Sequence, residues 1–100
     1  MFVSGQACVN FKTSSFELGT IEEETVRTLD NIKSIIETAG ATMEDVVKCT
    51  VHLSDIRDFA RYNKIYSEYF KGIKPARTTV QSVLAENIKV EIDAIVKMPD

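Results

Sequence analysis

The chain has 100 residues, 44% of them hydrophobic, and a net charge of −3. That is enough for one domain, residues 1–100, with a limited core that association with further copies would help. The acidic balance argues against a nucleic-acid binder, which normally carries a basic stripe. No apolar run reaches the length of a membrane span, and Met1 to Gly5 lacks the layout of a signal peptide. Cys8 and Cys49 are too few for a disulfide framework, so both are expected reduced in a cytoplasmic protein. A single histidine without a Cys-x-x-Cys pair leaves little for a zinc site, and no metal is expected.

Residues 2–7 read as a strand, with Gly5 inside it as a bulge or as a point of close backbone approach. Residues 8–19 read as a loop that holds at most a short strand. A helix starts at Thr20, which forms a T-x-x-E capping box with Glu23, and Glu22, Glu23 and Glu24 suit the positive end of the helix. Val26, Leu29, Ile32, Ile36 and Ala39 form its predicted apolar stripe, and Gly40 is the stop. Val46 to Leu53 alternate as a strand. Val47, Cys49, Val51 and Leu53 are expected on the core side, and Lys48, Thr50 and His52 on the polar side, where His52 reads as a solvated or interface residue ahead of a catalytic one.

A second helix is expected from Asp55 as N-cap, with Phe59, Tyr62, Tyr66 and Tyr69 or Phe70 as a core stripe. Asn63 lies one residue off that stripe, either at the surface or reaching a neighbouring cleft. Gly72 and Pro75 end this helix. Two β-rich runs close the chain, Pro75–Leu84 and Ile88–Val96. The spacer Ala85-Glu86-Asn87 reads as a turn, which would pair the runs as a hairpin, and a tail runs from Lys97 to Asp100. The order β-loop-α-β-α-β-β predicts an α+β domain with both helices on one face of a mixed sheet. The other face is then a candidate subunit interface.

Few residues carry chemistry. Arg77 follows a proline that fixes the local backbone, and its planar fork matches a carboxylate. The residues alone leave it open as an anion site or as a surface arginine at a strand entrance. Glu91 shares a strand face with Lys89 and Asp93. It reads either as part of a wet face or as a carboxylate that orients water in a cleft between subunits. Ser4 and the Gly5 N–H are possible donors. Neither a nucleophile elbow around Ser4 nor a glycine-rich phosphate loop is present.

Several runs, taken in order, resemble a known family: Val3-Ser-Gly-Gln6, Glu37-Thr-Ala-Gly40, Asp45-Val-Val-Lys-Cys-Thr-Val51, Asp58-Phe59 with Asn63 and Tyr66, Pro75-Ala-Arg77 and Val90-Glu-Ile-Asp-Ala-Ile95. Together they are similar to the RidA/YjgF family, the reactive enamine/imine deaminases also called liver perchloric-acid-soluble proteins. The resemblance implies a chorismate-mutase-like fold and a homotrimer with clefts between subunits. It implies a hydrolase that converts 2-iminobutanoate, 2-iminopropanoate and related imino or enamino acids of amino-acid metabolism to 2-oxo acids and ammonia, without cofactor or metal. By the same resemblance Arg77 binds the substrate carboxylate, Glu91 positions the attacking water, and Ser4, Gly5 and Asn63 line the cleft.

The pattern departs from the family at two points. Members generally start earlier, with a Gly-Pro-Tyr-Ser-like run before a first strand, so that strand and its tyrosine are expected to be lacking. Thr79 stands where some members carry a cysteine, which excludes a thiol role there. Two competing readings are an endoribonuclease or translation inhibitor, and a non-catalytic metabolite-binding or chaperone-like trimer.

Overall fold

The computed structural model describes residues 1–72 and 74–99. Its elements are β1 (Phe2–Gln6), β2 (Val9–Asn10), β3 (Ser15–Phe16), α1 (Ile21–Thr38), β4 (Val46–Leu53), α2 (Phe59–Tyr69), β5 (Ala76–Gln81) and β6 (Val90–Val96). Four strands form one sheet in the order β1-β6-β4-β5, and β2 and β3 form a separate short ribbon. β4 and β5 run parallel, whereas β6 is antiparallel to both β1 and β4. The two helices pack on each other and on the inner face of this mixed sheet, the α+β layering expected from the element order. Asp100, the last residue of the expected tail, lies outside the described residues.

The expected hairpin between the two closing runs does not form, because β4 lies between β5 and β6. The reason is topological. β5 is delivered by a helix, and a strand-helix-strand passage returns parallel to the strand it left, so β5 docks on the outer edge of β4. Val90, Ile92, Ala94 and Val96 on β6 are all at most 2% exposed, which demands a central position under the helices. The spacer at Ala85–Asn87 is one turn of 3₁₀ helix, with Glu86 and Asn87 in the left-handed region at φ 51° and 63°. It bridges the end of β4: Ser82 N donates to Leu53 O, and Ser54 N donates to Lys89 O.

α1 starts as its cap predicts. Glu23 N donates to Thr20 Oγ1 at 3.1 Å, and Thr20 N donates to Glu23 Oε1 at 2.9 Å. Gly40 adopts φ +91° just beyond the helix, a conformation that favours glycine. The buried stripe is rotated from the expected one. Leu29, Ile32 and Ile36 are buried as read, but Val26 is half-buried and Ala39 exposed, while Thr25 and Thr28 are fully buried. Both threonines avoid a desolvation penalty by donating to the preceding turn, at Ile21 O and Glu24 O, 2.7 Å in each case.

Two further boundaries differ. Asp55 caps a separate 3₁₀ turn, Ile56–Asp58, by accepting from Arg57 N at 2.9 Å, and α2 starts only at Phe59. In β4 a bulge between Val46 and Lys48 places Val46 in the core and Val47 outside, 48% exposed. From Cys49 onward the alternation is as read: Cys49, Val51 and Leu53 are buried. Among the described residues no helix covers the outer face of the sheet, and Phe2 and Ile95, cross-strand partners on it, are 83% and 37% exposed.

Candidate active site

Arg77 is the second residue of β5 and pairs in register with Cys49, whose side chain faces the core. Its guanidinium therefore turns to the helix side of the sheet edge and lies against α2. Nη1 donates to Asn63 Oδ1 at 2.6 Å and to Tyr62 Oη at 3.0 Å. The guanidinium carbon is 4.6 Å from the ring centre of Tyr66, 5.4 Å from Phe59 and 5.8 Å from Tyr62. The Tyr62 hydroxyl, which accepts from Arg77, pairs onward with Thr79 Oγ1 at 3.2 Å. Burial raises the Tyr62 phenol above its ordinary pKa, so it stays protonated and able to donate along that chain.

These partners are all uncharged. The chain has four arginines. Arg27, Arg57 and Arg61 each lie within 4 Å of a carboxylate, whereas Arg77 has none among the described residues. A recess of about 280 Å³ opens beside it, lined by Asn63, Tyr66, Ser67, Phe70, Lys74 and Pro75, with no acidic side chain. Its size suits a small metabolite, since pockets for drug-sized ligands run to about 300–1,000 Å³. A larger hollow of about 740 Å³ lies between the C-terminal ends of α1 and α2, at Lys33, Glu37, Glu68 and Lys71, and contains neither Arg77 nor Glu91.

Behind the guanidinium, Tyr66 Oη is buried without a hydrogen-bond partner, and the Cys49 thiol faces it without bonding geometry. Burial pushes that phenol far above its ordinary pKa and raises the Cys49 thiol as well, so both stay neutral beside the cation. Cys8 is buried and free too, and burial next to Glu24 lifts its thiol to about 11.

Glu91 occupies a different environment. It is half-buried on the outer face of β6, directly opposite His52 on β4. Its carboxylate lies against the backbone of β1: a Cβ built on Gly5 would sit 2.8 Å from Glu91 Oε2. β1 shifts register between Val3 and Gln6, so Ser4 and Gly5 form a bulge at that point, both exposed. Both readings of Gly5 are realised: it lies in a bulge, and its backbone is closely approached, by Glu91 itself. No cation lies within salt-bridge distance of Glu91 among the described residues.

The predicted residues therefore fall into two groups. Arg77 and Asn63 meet at the β5 edge, and Glu91, Gly5 and Ser4 meet at the β1–β6 edge. Within one chain the groups are separated by β4 and face opposite sides of the sheet, with strand axes about 10 Å apart. Among the described residues, no group of three or more His, Cys, Asp or Glu is placed to hold a metal ion.

The sequence reading missed two contributors. The aromatic stripe of α2 reads as plain core, yet Phe59, Tyr62 and Tyr66 also cradle Arg77; the density of aromatics was the available signal. His52 reads as solvated or interfacial, but its Nδ1 is 2.8 Å from Ser82 Oγ, and only the strand register places it opposite Glu91.

The same chain can be set beside known proteins. The family profile described as Endoribonuclease L-PSP matches residues 1–98. The chain belongs to this family, the RidA/YjgF group. A RutC family protein of Pyrococcus abyssi is 47% identical over 96 residues, covering 95% of this chain and 76% of the relative. A 2-iminobutanoate/2-iminopropanoate deaminase of Dermatophagoides farinae is 36% identical over 97 residues, covering 96% and 76%. Among solved structures, E. coli TdcF with bound serine superposes with a TM-score of 0.90 at 32% identity, over 98% of this chain and 80% of that one. RidA from a Psychrobacter species gives 0.90 at 34% identity, over 97% and 79%. These family structures share the mixed sheet and paired helices described above.

Proposed function

We propose that this family member hydrolyses 2-imino and 2-enamino acids, with 2-iminobutanoate and 2-iminopropanoate as the reference substrates, to 2-oxo acids and ammonia. The observation that carries the reading is Arg77: a cation fixed by an amide oxygen, a phenol and aromatic faces, beside a recess without a competing carboxylate. Such a guanidinium is pre-organised for an incoming carboxylate, which would form its first charged pair. The name of the mite relative and the bound serine of TdcF, an amino acid with a free carboxylate, support the same class of ligand.

The chemistry needs little more. With the carboxylate on Arg77, the electrophilic C2 of the protonated imine is held in place. Glu91 accepts a proton from water as the water oxygen bonds to C2 and the C=N π pair moves to nitrogen. The carbinolamine nitrogen then takes that proton, and the C–N bond breaks as the hydroxyl oxygen forms C=O and returns its proton to Glu91, which passes it to the departing ammonia. Because Arg77 and Glu91 face opposite sides of one sheet, the reaction uses the Arg77 edge of one copy and the Glu91 edge of another. That requirement supports a homotrimer with a cleft at each junction, and a cytoplasmic location accords with substrates from amino-acid metabolism. No metal or cofactor enters these steps.

The test couples a threonine dehydratase to the protein and follows loss of the imine. The reading expects acceleration that disappears in Arg77→Ala. A folded oligomer that leaves the imine lifetime unchanged would sink it in favour of a binding or chaperone-like role. RNA cleavage that survives Arg77→Ala would favour the ribonuclease reading.

A further inference from the structure

One ion pair, between a buried carboxylate and a half-buried lysine, lies outside the proposed chemistry. Glu24, in the first turn of α1, is 0% exposed, yet its carboxylate is fully occupied. Oε1 accepts from Lys89 N at 2.8 Å and from Cys8 Sγ at 3.5 Å; Oε2 accepts from Lys89 Nζ at 3.0 Å and from Gly19 N at 3.2 Å. Around it, Ala7, Cys8 and Ile88 form a small core of their own, joined by Phe16 and Leu84 and separate from the main one. A position chosen only for the helix dipole would be exposed, as Glu23 is.

The placement of these four donors is the informative feature. Cys8 comes three residues after Gly5 on the chain leaving β1. Lys89 comes two residues before Glu91 on the chain entering β6. One carboxylate therefore ties both chain segments that flank the contact between Gly5 and Glu91, one through the Cys8 thiol and the other through the Lys89 backbone and ammonium, at a place where the clearance leaves no room for a Cβ. We propose that Glu24, with Lys89, is a positioning residue that sets the Glu91 carboxylate against the β1 backbone. This rests on the deaminase reading for its kinetic consequence but not for its geometric one. Glu24 touches no substrate, and its effect passes through the strand ends it ties together.

The decisive variant is Glu24→Gln, examined in the full chain. Its amide oxygen can still accept from Lys89 N, but its NH₂ then meets two donors, Gly19 N and Lys89 Nζ. Relieving the clash at Gly19 N moves the carboxamide, and the Lys89 backbone that stays bonded to it moves with it; a displacement of about 1 Å at a reacting group costs up to about 100-fold in rate. The expected result is a fall in kcat of about 10- to 100-fold with KM unchanged, since Arg77 is untouched. A crystal structure of the variant should show Glu91 moved off Gly5, and adding Lys89→Met should remove one clashing donor and recover part of kcat. An unmoved Glu91, an unchanged kcat, or a loss explained wholly by a smaller folded fraction would overturn the proposal. Should Glu24→Gln fail to fold, Lys89→Met alone carries the same two readouts. If the parent protein itself hydrolyses no imine, the deaminase reading fails, and the position of Glu91 in the variant still decides this one.

Discussion

The two edges of the sheet hold their charges in opposite ways. At the β5 edge, Arg77 is held by groups that carry no charge: an amide oxygen, a phenol and three ring faces. At the β1–β6 edge, Glu91 rests on bare backbone, and the ionic machinery sits one layer back, in the Glu24–Lys89 pair. In both places the candidate site residue has no counter-ion among the described residues, and the neighbours that restrain it do not neutralise it. In the proposed reaction the site attracts an anion and supplies a proton acceptor, which needs both halves unspent; among the described residues neither forms a salt bridge.

This contrast can be broken most sharply at Arg77. Arg77→Ala removes the charged contact, worth about 1.5–3 kcal/mol, and should lower kcat/KM for imine hydrolysis by about 100-fold in the coupled dehydratase assay. Arg77→Lys should recover only part of this, because an ammonium cannot present the same planar fork. Next, Gly5→Ala would put a Cβ 2.8 Å from Glu91 Oε2 and force that side chain aside. Steady-state kinetics should show kcat reduced by about tenfold with KM held. Asn63→Ala removes one of the two hydrogen bonds that hold Nη1 of Arg77 and should raise KM by up to about tenfold, with little change in kcat.

Two smaller effects probe the scaffold. Thr20→Ala removes the α1 cap and should cost about 1 kcal/mol in denaturant unfolding while leaving KM alone. Arg61→Ala tests an exposed link between the helices. The hydrogen bond from Arg61 holds the Glu22 carboxyl below its ordinary pKa. A depressed folded pKa means that the pair stabilises the fold above the unfolded carboxylate value of about 4.3 and loses that contribution as pH falls through the lower folded value. Thermal melts of parent and variant should therefore differ slightly at neutral pH and converge in acid.

Local signals account for what was readable in the chain. The Thr20–Glu23 box, the Gly40 stop, the alternation from Cys49 to Leu53 and the apolar positions of β6 depend on neighbours within four residues, and each appears as read. So do the layering of two helices on one face and the membership implied by the motif order. The pairing of strands was not readable, because β5 and β6 are close in sequence and both β-rich. Only the helix feeding β5, and the need to bury both flanks of β6, put β4 between them. The bulge at Val47 and the rotation of α1 onto Thr25 and Thr28 followed from packing, which adds offsets that periodicity does not encode.

For the candidate site the division is similar. Arg77, Glu91, Ser4, Gly5 and Asn63 could be named one by one from residue type and motif. That they form two clusters on opposite faces, that Phe59, Tyr62 and Tyr66 cradle the cation, and that Glu24 reaches across 65 positions to Lys89 were decided only in three dimensions. Hydrogen bonds and ring contacts join whatever the fold brings within a few ångströms, and sequence spacing carries no record of distances between separate elements.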